Sequence, residues 1–118
     1  MSAFERREVL PVDVPGQVWN AGAEVAVQLV PGGVYQLLGV SIERTAGTAS
    51  TQISPSLLEA SGSGALGQVW SESGLAVNYS SRDLDHVCRV GADGNLYLVL
   101  SPDVDGDTFA CRLFLWRV

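Results

Sequence analysis

Three carboxylates lie close together in the segment Asp103-Val104-Asp105-Gly106-Asp107. Grouped carboxylate oxygens are ligands that a hard cation such as Ca²⁺ prefers. An EF-hand loop beginning at Asp103 would need glycine at its sixth position and glutamate at its twelfth, where this chain has Thr108 and Phe114. The spacing favours a solvated hairpin turn over a calcium loop, and we expect no metal and no cofactor.

The single histidine of the chain, His86, follows closely after Asp83 and Asp85. A Ser-His-Asp triad is defined by geometry and not by chain order, so one of several serines could complete it. The chain has no Gly-x-Ser-x-Gly nucleophile elbow. The pattern favours a strand histidine beside an acidic neighbour, so we expect no catalytic residue and no enzymatic activity.

Aromatic residues keep a third kind of chemistry open, the recognition of carbohydrate. Sugars are bound by exposed aromatic planes beside carboxylates and amides. Trp116 shares its face with Phe114 and Val118 in the alternating pattern, so burial or a subunit interface explains it equally well. The rings in question are Trp19, Trp70, Trp116, Tyr35, Tyr79 and Tyr97.

The elements that must position these residues are predicted to be strands. Apolar and polar residues alternate with period 2 through most of the chain, and turn residues recur about every 8–12 positions, which is typical of all-β sandwiches. We predict one β-sandwich over residues 1–118, jelly-roll-like, with about eight to nine short antiparallel strands and a short arm over about residues 1–8. The predicted strand segments are 9–14, 24–29, 34–43, 51–57, 68–70, 76–79, 86–90, 96–100 and 109–118.

Several local expectations accompany this fold. The first strand should stop at Pro15-Gly16, a turn dipeptide. Segment 34–43 has the length of a central strand, whereas Pro55 assigns 51–57 to a sheet edge. The small residues of 59–67 predict a mobile loop or a loop that orders on binding, and the serines of 80–85 predict a helical turn.

Turns and faces give further expectations. Asp93-Gly94 is a strong hairpin signal and should pair the strands on either side of it. The acidic segment 103–107 should likewise close a hairpin at the end of the chain. In segment 34–43 we place Val34, Leu38, Val40 and Ile42 on one face, and Tyr35, Leu37, Ser41 and Glu43 on the other.

Cys88 and Cys111 are the only cysteines, and both fall on apolar-facing strand positions. A chain of this size can bury enough surface to fold without a disulfide. Buried thiols are therefore favoured over a bridge between adjacent strands, which stays open.

Charge and hydropathy exclude further classes of function. Thirteen carboxylates against seven arginines give a formal net charge of −6, so we expect no binding to nucleic acid. The start of the chain lacks the apolar core of a signal peptide, and no window of about 18 apolar residues follows. We expect a non-secreted protein with no membrane partner.

Segment 39–50 (GVSIERTAGTAS), the small-residue loop through Gly67, and the ending from Asp93-Gly94-Asn95-Leu96-Tyr97 to Trp116 carry a resemblance. The chain resembles small bacteriophage virion proteins of the β-sandwich type, such as capsid cement (decoration) proteins. The resemblance implies a non-enzymatic protein, made in the host cytoplasm, that binds the major capsid protein on the capsid exterior. It also implies a homo-oligomer, with a trimer favoured.

The capsid or subunit contacts follow from position and from apolar excess. The resemblance implies that the arm and the small-residue loop contact the capsid shell. The continuous apolar run of the last strand needs cover on both faces. A phage tail or spike protein, or a carbohydrate-binding module that recognises a host surface, is the alternative function. The candidate contact residues are Phe4, Arg6, Arg7, Leu66, Phe114 and Trp116.

Overall fold

The computed structural model describes residues 9–60 and 66–118, and all regular elements in these ranges are β-strands. Within the same ranges, no helix that could cross a membrane is present. The strands are β1 (Val9–Val18), β2 (Val25–Gln28), β3 (Val34–Ala46), β4 (Gln52–Ile53), β5 (Ser56–Ala60), β6 (Leu66–Ser71), β7 (Leu75–Ala76), β8 (Tyr79–Arg89), β9 (Asn95–Val99) and β10 (Thr108–Arg117).

Eight of these strands form two four-stranded antiparallel sheets. Sheet A has the order β1-β10-β3-β8, sheet B has the order β2-β9-β5-β6, and β4 pairs with β7 in a small ribbon. The pairs β1–β10, β2–β9, β3–β8 and β5–β6 are nested within one another. A long antiparallel ribbon folded over itself in this way is a jelly roll. The predicted β-sandwich is confirmed, with ten strands instead of eight to nine.

The core lies between the two sheets. β10 contributes Leu113 and Leu115 from sheet A, and β9 contributes Leu96 and Leu98 from sheet B, all with no exposed surface. Burying a leucine side chain contributes about 1.5–3 kcal/mol of transfer free energy. The alternation predicted for these two strands therefore sets which of their side chains hold the sheets together.

β3 lies inside sheet A, between β10 and β8, as predicted for a central strand. Val40 and Ile42 are buried, but Tyr35 and Leu37 are buried too, so the prediction that these two pairs face opposite sides of the sheet is wrong. The register against both neighbouring strands shifts close to Gly39. Such an irregularity moves the inward set by one residue, from odd to even positions.

β1 and the proline-containing segment both differ from expectation. β1 continues through Pro15-Gly16 to Val18, and the register shift between Val14 and Gln17 makes that dipeptide a bulge instead of a stop. Segment 51–57 divides into β4 and β5 around Pro55, and β5 lies inside sheet B between β9 and β6. The edge prediction is wrong because the proline stands outside both ladders.

Two other segments are also strands. Residues 80–85 lie within β8, and residues 80–83 pair with β3, so the predicted helical turn is wrong. Pairing with β3 gives their backbone groups partners in the sheet, which favours the strand over a turn capped by serine. The predicted loop 59–67 is shorter than expected, because Glu59 pairs with Gly67 and Ala60 with Leu66. Its centre, 61–65, lies outside the described residues, as does the predicted arm over residues 1–8.

The two predicted hairpins near the end of the chain connect different sheets. The Gly94 amide donates to the Gly91 carbonyl at 3.0 Å, so the predicted turn forms, but β8 belongs to sheet A and β9 to sheet B. The acidic segment likewise leads from β9 to β10 in the other sheet. Both hairpin predictions are wrong because turn residues determine a reversal of the chain and not the sheet in which the next strand pairs.

The two cysteines are free and buried, which confirms the favoured prediction. Cys88 pairs with Tyr35 on one side of β3 and Cys111 pairs with Ile42 on the other. Their partners lie seven positions apart in sequence, roughly 23 Å along a strand, which is far beyond disulfide reach. Burial raises the pKa of each thiol to about 12, so neither forms a reactive thiolate near neutral pH.

Candidate binding groove on sheet A

Of the six candidate rings, three are buried, Tyr97 and Trp116 are half-buried, and one is exposed. Trp19, Tyr35 and Trp70 are buried in the core, and the Trp19 indole donates from Nε1 to the Phe109 carbonyl at 3.1 Å. None of these three is available to a ligand. Tyr79, by contrast, is 60% exposed.

Tyr79 lies in an open groove of about 710 Å³ on the outer face of sheet A. All four strands of the sheet contribute to it, and its side chains combine carboxylates, a guanidinium, hydroxyls and two aromatic rings. The side chains on this outer face that line it are Asp13, Pro15, Ser41, Glu43, Tyr79, Ser81, Ala110, Arg112 and Phe114.

Strand register arranges the polar lining in rows that run across the sheet. One row pairs Asp13 with Arg112, Arg112 with Ser41, and Ser41 with Ser81. The next row pairs Glu43 of β3 with Tyr79 of β8. Neighbouring strands are about 4.8 Å apart, so the first row spans roughly 14 Å from β1 to β8.

Asp13 and Arg112 form a two-pronged ion pair on the floor of the groove. Arg112 donates to the carboxylate from Nε and from Nη2, the latter at 3.2 Å. The hydrogen bond from Arg112 holds the pKa of Asp13 below its usual value, and the same contact raises the pKa of Arg112. Both groups are exposed, so the pair adds little to stability but fixes both side chains at the surface.

The Phe114 ring has room because its partner on β3 is a glycine. Phe114 pairs with Gly39, and a Cβ at Gly39 would lie 3.5 Å from Phe114 Cδ2 and 3.1 Å from the Arg82 carbonyl oxygen. A Cβ at this position would touch the ring at ordinary contact distance and press on the backbone of β8. Phe114 is half-buried on the outer face. The sequence had indicated it as a candidate contact residue.

Residues 103–106 of the acidic segment are exposed as predicted for a solvated turn, but Asp107 at its end is not. Asp107 is only 2% exposed. Its carboxylate accepts from the amides of Ala49 and Ser50 at 3.0 and 2.8 Å, and from Arg44 Nη1 at 3.2 Å. These bonds, that of Ser50 above all, hold the pKa of Asp107 below its usual value. Asp107 therefore closes the loop that follows β3.

The other two carboxylates of the segment also bind backbone amides. Asp103 accepts from Thr51 N at 2.8 Å and from Gln52 N at 3.2 Å, while Asp105 accepts from Ala21 N at 2.9 Å. Asp103 and Asp107 therefore both hold the segment 49–52 after β3, whereas Asp105 holds the turn at Ala21. In the described part of the chain, no group of three or more His, Cys, Asp or Glu side chains is placed to hold a metal ion.

The triad candidates lie on the outermost strand of sheet A. Asp83, Asp85 and His86 are all exposed on β8, and none of them lines the groove. Asp85 accepts a hydrogen bond from the Gln36 side chain of the neighbouring strand. All three side chains are therefore exposed on a strand at the edge of sheet A.

The predicted contact residues are placed only in part. Phe4, Arg6 and Arg7 lie outside the described residues. Leu66 is the first residue of β6, where it pairs with Ala60. Phe114 and Trp116 both lie half-buried on the outer face of sheet A, as the alternation predicted.

Sequence reasoning missed most of the groove. Tyr79 was one of six candidate rings, and nothing in its local sequence separated it from the buried ones. The Asp13–Arg112 pair joins residues 99 positions apart. Only the register of β1 against β10 brings them together, and no local pattern encodes that register.

Comparison with known proteins adds little to this geometry. No protein-family model matches the chain, and no curated protein does either. Among solved structures, the chain is similar to the CBM22-1 xylan-binding domain of Paenibacillus barcinonensis Xyn10C, with a TM-score of 0.48 and 14% identity over 96% of this chain and 81% of that one. A likeness at this level carries no information about what this chain binds.

Proposed function

We propose that this chain is a non-enzymatic recognition module that binds a glycan in the groove on sheet A. The observation that carries the proposal is the exposed ring of Tyr79 within a groove whose other walls offer hydrogen-bond donors and acceptors. A sugar ring presents an apolar face that stacks on an aromatic plane and a rim of hydroxyls that needs polar partners. The groove supplies both kinds of contact.

The groove is also built on the two inner strands of sheet A. Its lining includes Arg112 and Phe114 of β10 and Ser41 and Glu43 of β3, the two inner strands of the sheet. Sites built on strands hold their side chains more precisely than sites built on loops. This arrangement favours a preformed binding surface over one that orders around its ligand.

The proposal is tested by glycan-array screening followed by titration calorimetry on any hit. We expect Tyr79→Ala to weaken binding by about tenfold or more. Tyr97→Ala, which removes a ring from the outer face of sheet B, serves as the control and should bind as the parent does. Equal affinity of the parent and Tyr79→Ala for every hit would contradict the proposal.

A second candidate function, capsid cement, draws on exposed apolar side chains at one end of sheet A. Val9 pairs with Trp116, and Gln36 links that pair to Val87. Val9 and Val87 are 49% and 55% exposed. Exposed apolar side chains of this kind suit a protein partner. We propose the major capsid protein on the virion exterior, bound by a homotrimer of this chain, as that partner.

Light scattering and co-sedimentation with empty capsids test this second function. The cement hypothesis expects trimers in solution and a fixed stoichiometry on the shell. Val87→Asp should abolish both, while Val104→Asp, at an exposed valine outside sheet A, should leave both unchanged. A monomeric chain that stays in the supernatant would exclude the cement function and leave glycan binding standing.

A further inference from the structure

The groove reaches both edges of sheet A. Asp13 and Pro15 lie on β1, and Tyr79 and Ser81 lie on β8, and these are the outermost strands of the sheet. A ligand lying along the rows can therefore continue past the sheet on either side. A site that captures a chain terminus would instead need a wall at one end.

The charge of the lining opposes an anionic ligand. Among the described residues, the one cation that lines the groove on this face is Arg112, and Asp13 holds it in a two-pronged ion pair. Glu43 adds a carboxylate, so the lining carries one net negative charge. The chain as a whole is at −6, which adds long-range repulsion to the local one.

The hydrogen-bonding groups of the groove suit hydroxyls. A guanidinium carries five N–H donors, and the two bonds from Arg112 to Asp13 leave donors for a ligand. The hydroxyls of Ser41 and Ser81 both donate and accept, and Glu43 accepts. A sugar hydroxyl also donates and accepts, so an uncharged polyol can satisfy these groups without displacing the ion pair.

We infer that the groove binds an internal stretch of an uncharged polysaccharide that lies across the strands of sheet A, and that Glu43 selects against anionic chains. This inference rests on the glycan-binding function proposed above. It assigns Tyr79 as the stacking platform and the row from Asp13 to Ser81 as the polar contact to the sugar rim.

Affinity electrophoresis tests the inference with two sets of soluble polymers. Hydroxyethyl cellulose, soluble starch and galactomannan are the uncharged probes, and alginate and hyaluronan are the anionic ones. The parent should be retarded by at least one uncharged polymer and by neither anionic one. The oligosaccharides released from that polymer should bind more weakly as they shorten. Tyr79→Ala should lose the retardation, and Tyr97→Ala should keep it.

Charge variants at Glu43 separate selection from simple lack of fit. Glu43→Lys reverses the sign of the net charge in the lining, so it should gain binding to alginate that weakens as salt is added, while Glu43→Gln should fall between it and the parent. Thermal unfolding of each variant establishes that it is folded.

The failures are distinguishable. Binding of the parent to alginate with loss in Tyr79→Ala would overturn the uncharged-ligand inference and keep glycan recognition. Equal affinity for a polymer and for its terminal disaccharide would overturn the internal-stretch assignment. Retardation by none of the polymers, together with a silent glycan array, would overturn both the inference and the proposed function.

Discussion

Two acidic regions of this jelly roll use carboxylates in opposite ways. In the segment 103–107, Asp107 is buried and its oxygens accept from two backbone amides and from Arg44. On the outer face of sheet A, Asp13 is exposed and meets one arginine at the surface. The number and kind of internal partners, and not the density of carboxylates in the sequence, separate a loop-closing cluster from a binding surface.

The largest loss of stability is expected from Gly47→Ala, in the loop that Asp107 closes. Gly47 has φ +93°, and a Cβ there would lie 2.1 Å from Asp107 Oδ1, so the new methyl group must displace the carboxylate. We expect Tm, measured by circular dichroism, to fall by roughly 15 °C.

Gly22→Ala is the matched control, because Gly22 has φ +76° but no atom within 4 Å of the added Cβ. It should show the backbone strain alone, roughly 5 °C of Tm. Equal losses in the two variants would mean that the contact with Asp107 is not what the loop depends on.

A direct contrast comes from the same change made at the two aspartates. Asp107→Asn removes a charged acceptor from buried amides and leaves Arg44 without its ion pair, so Tm should fall by roughly 10 °C. Asp13→Asn, at an exposed pair, should change Tm by no more than about 2 °C. A similar loss of Tm at both positions would contradict the different roles assigned to the buried and the exposed aspartate.

Acid should weaken the loop cluster. Hydrogen bonds from the loop hold the pKa values of Asp103 and Asp107 below the ordinary value of 3.8. Their stabilisation is therefore complete well above pH 4 and is lost as the pH falls through the lowered values. Urea unfolding between pH 7 and pH 2.5 should show a steep loss below pH 4, and a shallower one in Asp103→Asn. Identical slopes would contradict this assignment.

The smallest effect on stability is expected at the groove. Tyr79→Ala removes a ring that is 60% exposed, so the free energy of unfolding should change by no more than about 0.5 kcal/mol, measured by urea titration. A loss of several kcal/mol would show that the ring serves packing and not recognition.

Alternation in the sequence predicted the fold class because it reports which side chains face the core. It placed Leu113, Leu115, Phe114 and Trp116 correctly on their two faces. It failed on Tyr35 and its neighbours in β3, because a register irregularity near Gly39 reverses the inward set. A bulge arises from how two strands pair, so the alternation of residues along one strand does not predict it.

The site was less predictable than the fold. Its groups come from β1, β3, β8 and β10, and only strand register places them together. The turn at Asp93-Gly94 illustrates the same limit: the local reversal was foreseen, but the crossing between sheets was not, because it depends on where β2 and β5 lie. Long-range pairing decides both.

The nested pairing of the strands has a consequence for how the chain reaches its fold. β5 and β6 are close in sequence, whereas β1 and β10 are brought together across almost the whole chain. Loop closure costs more entropy as the intervening chain lengthens, so formation should proceed from the β5–β6 ribbon outward and end with β1. Such a high contact order implies slow folding, from milliseconds to seconds, and the groove, half of whose floor is β1 and β10, is complete only at the final step.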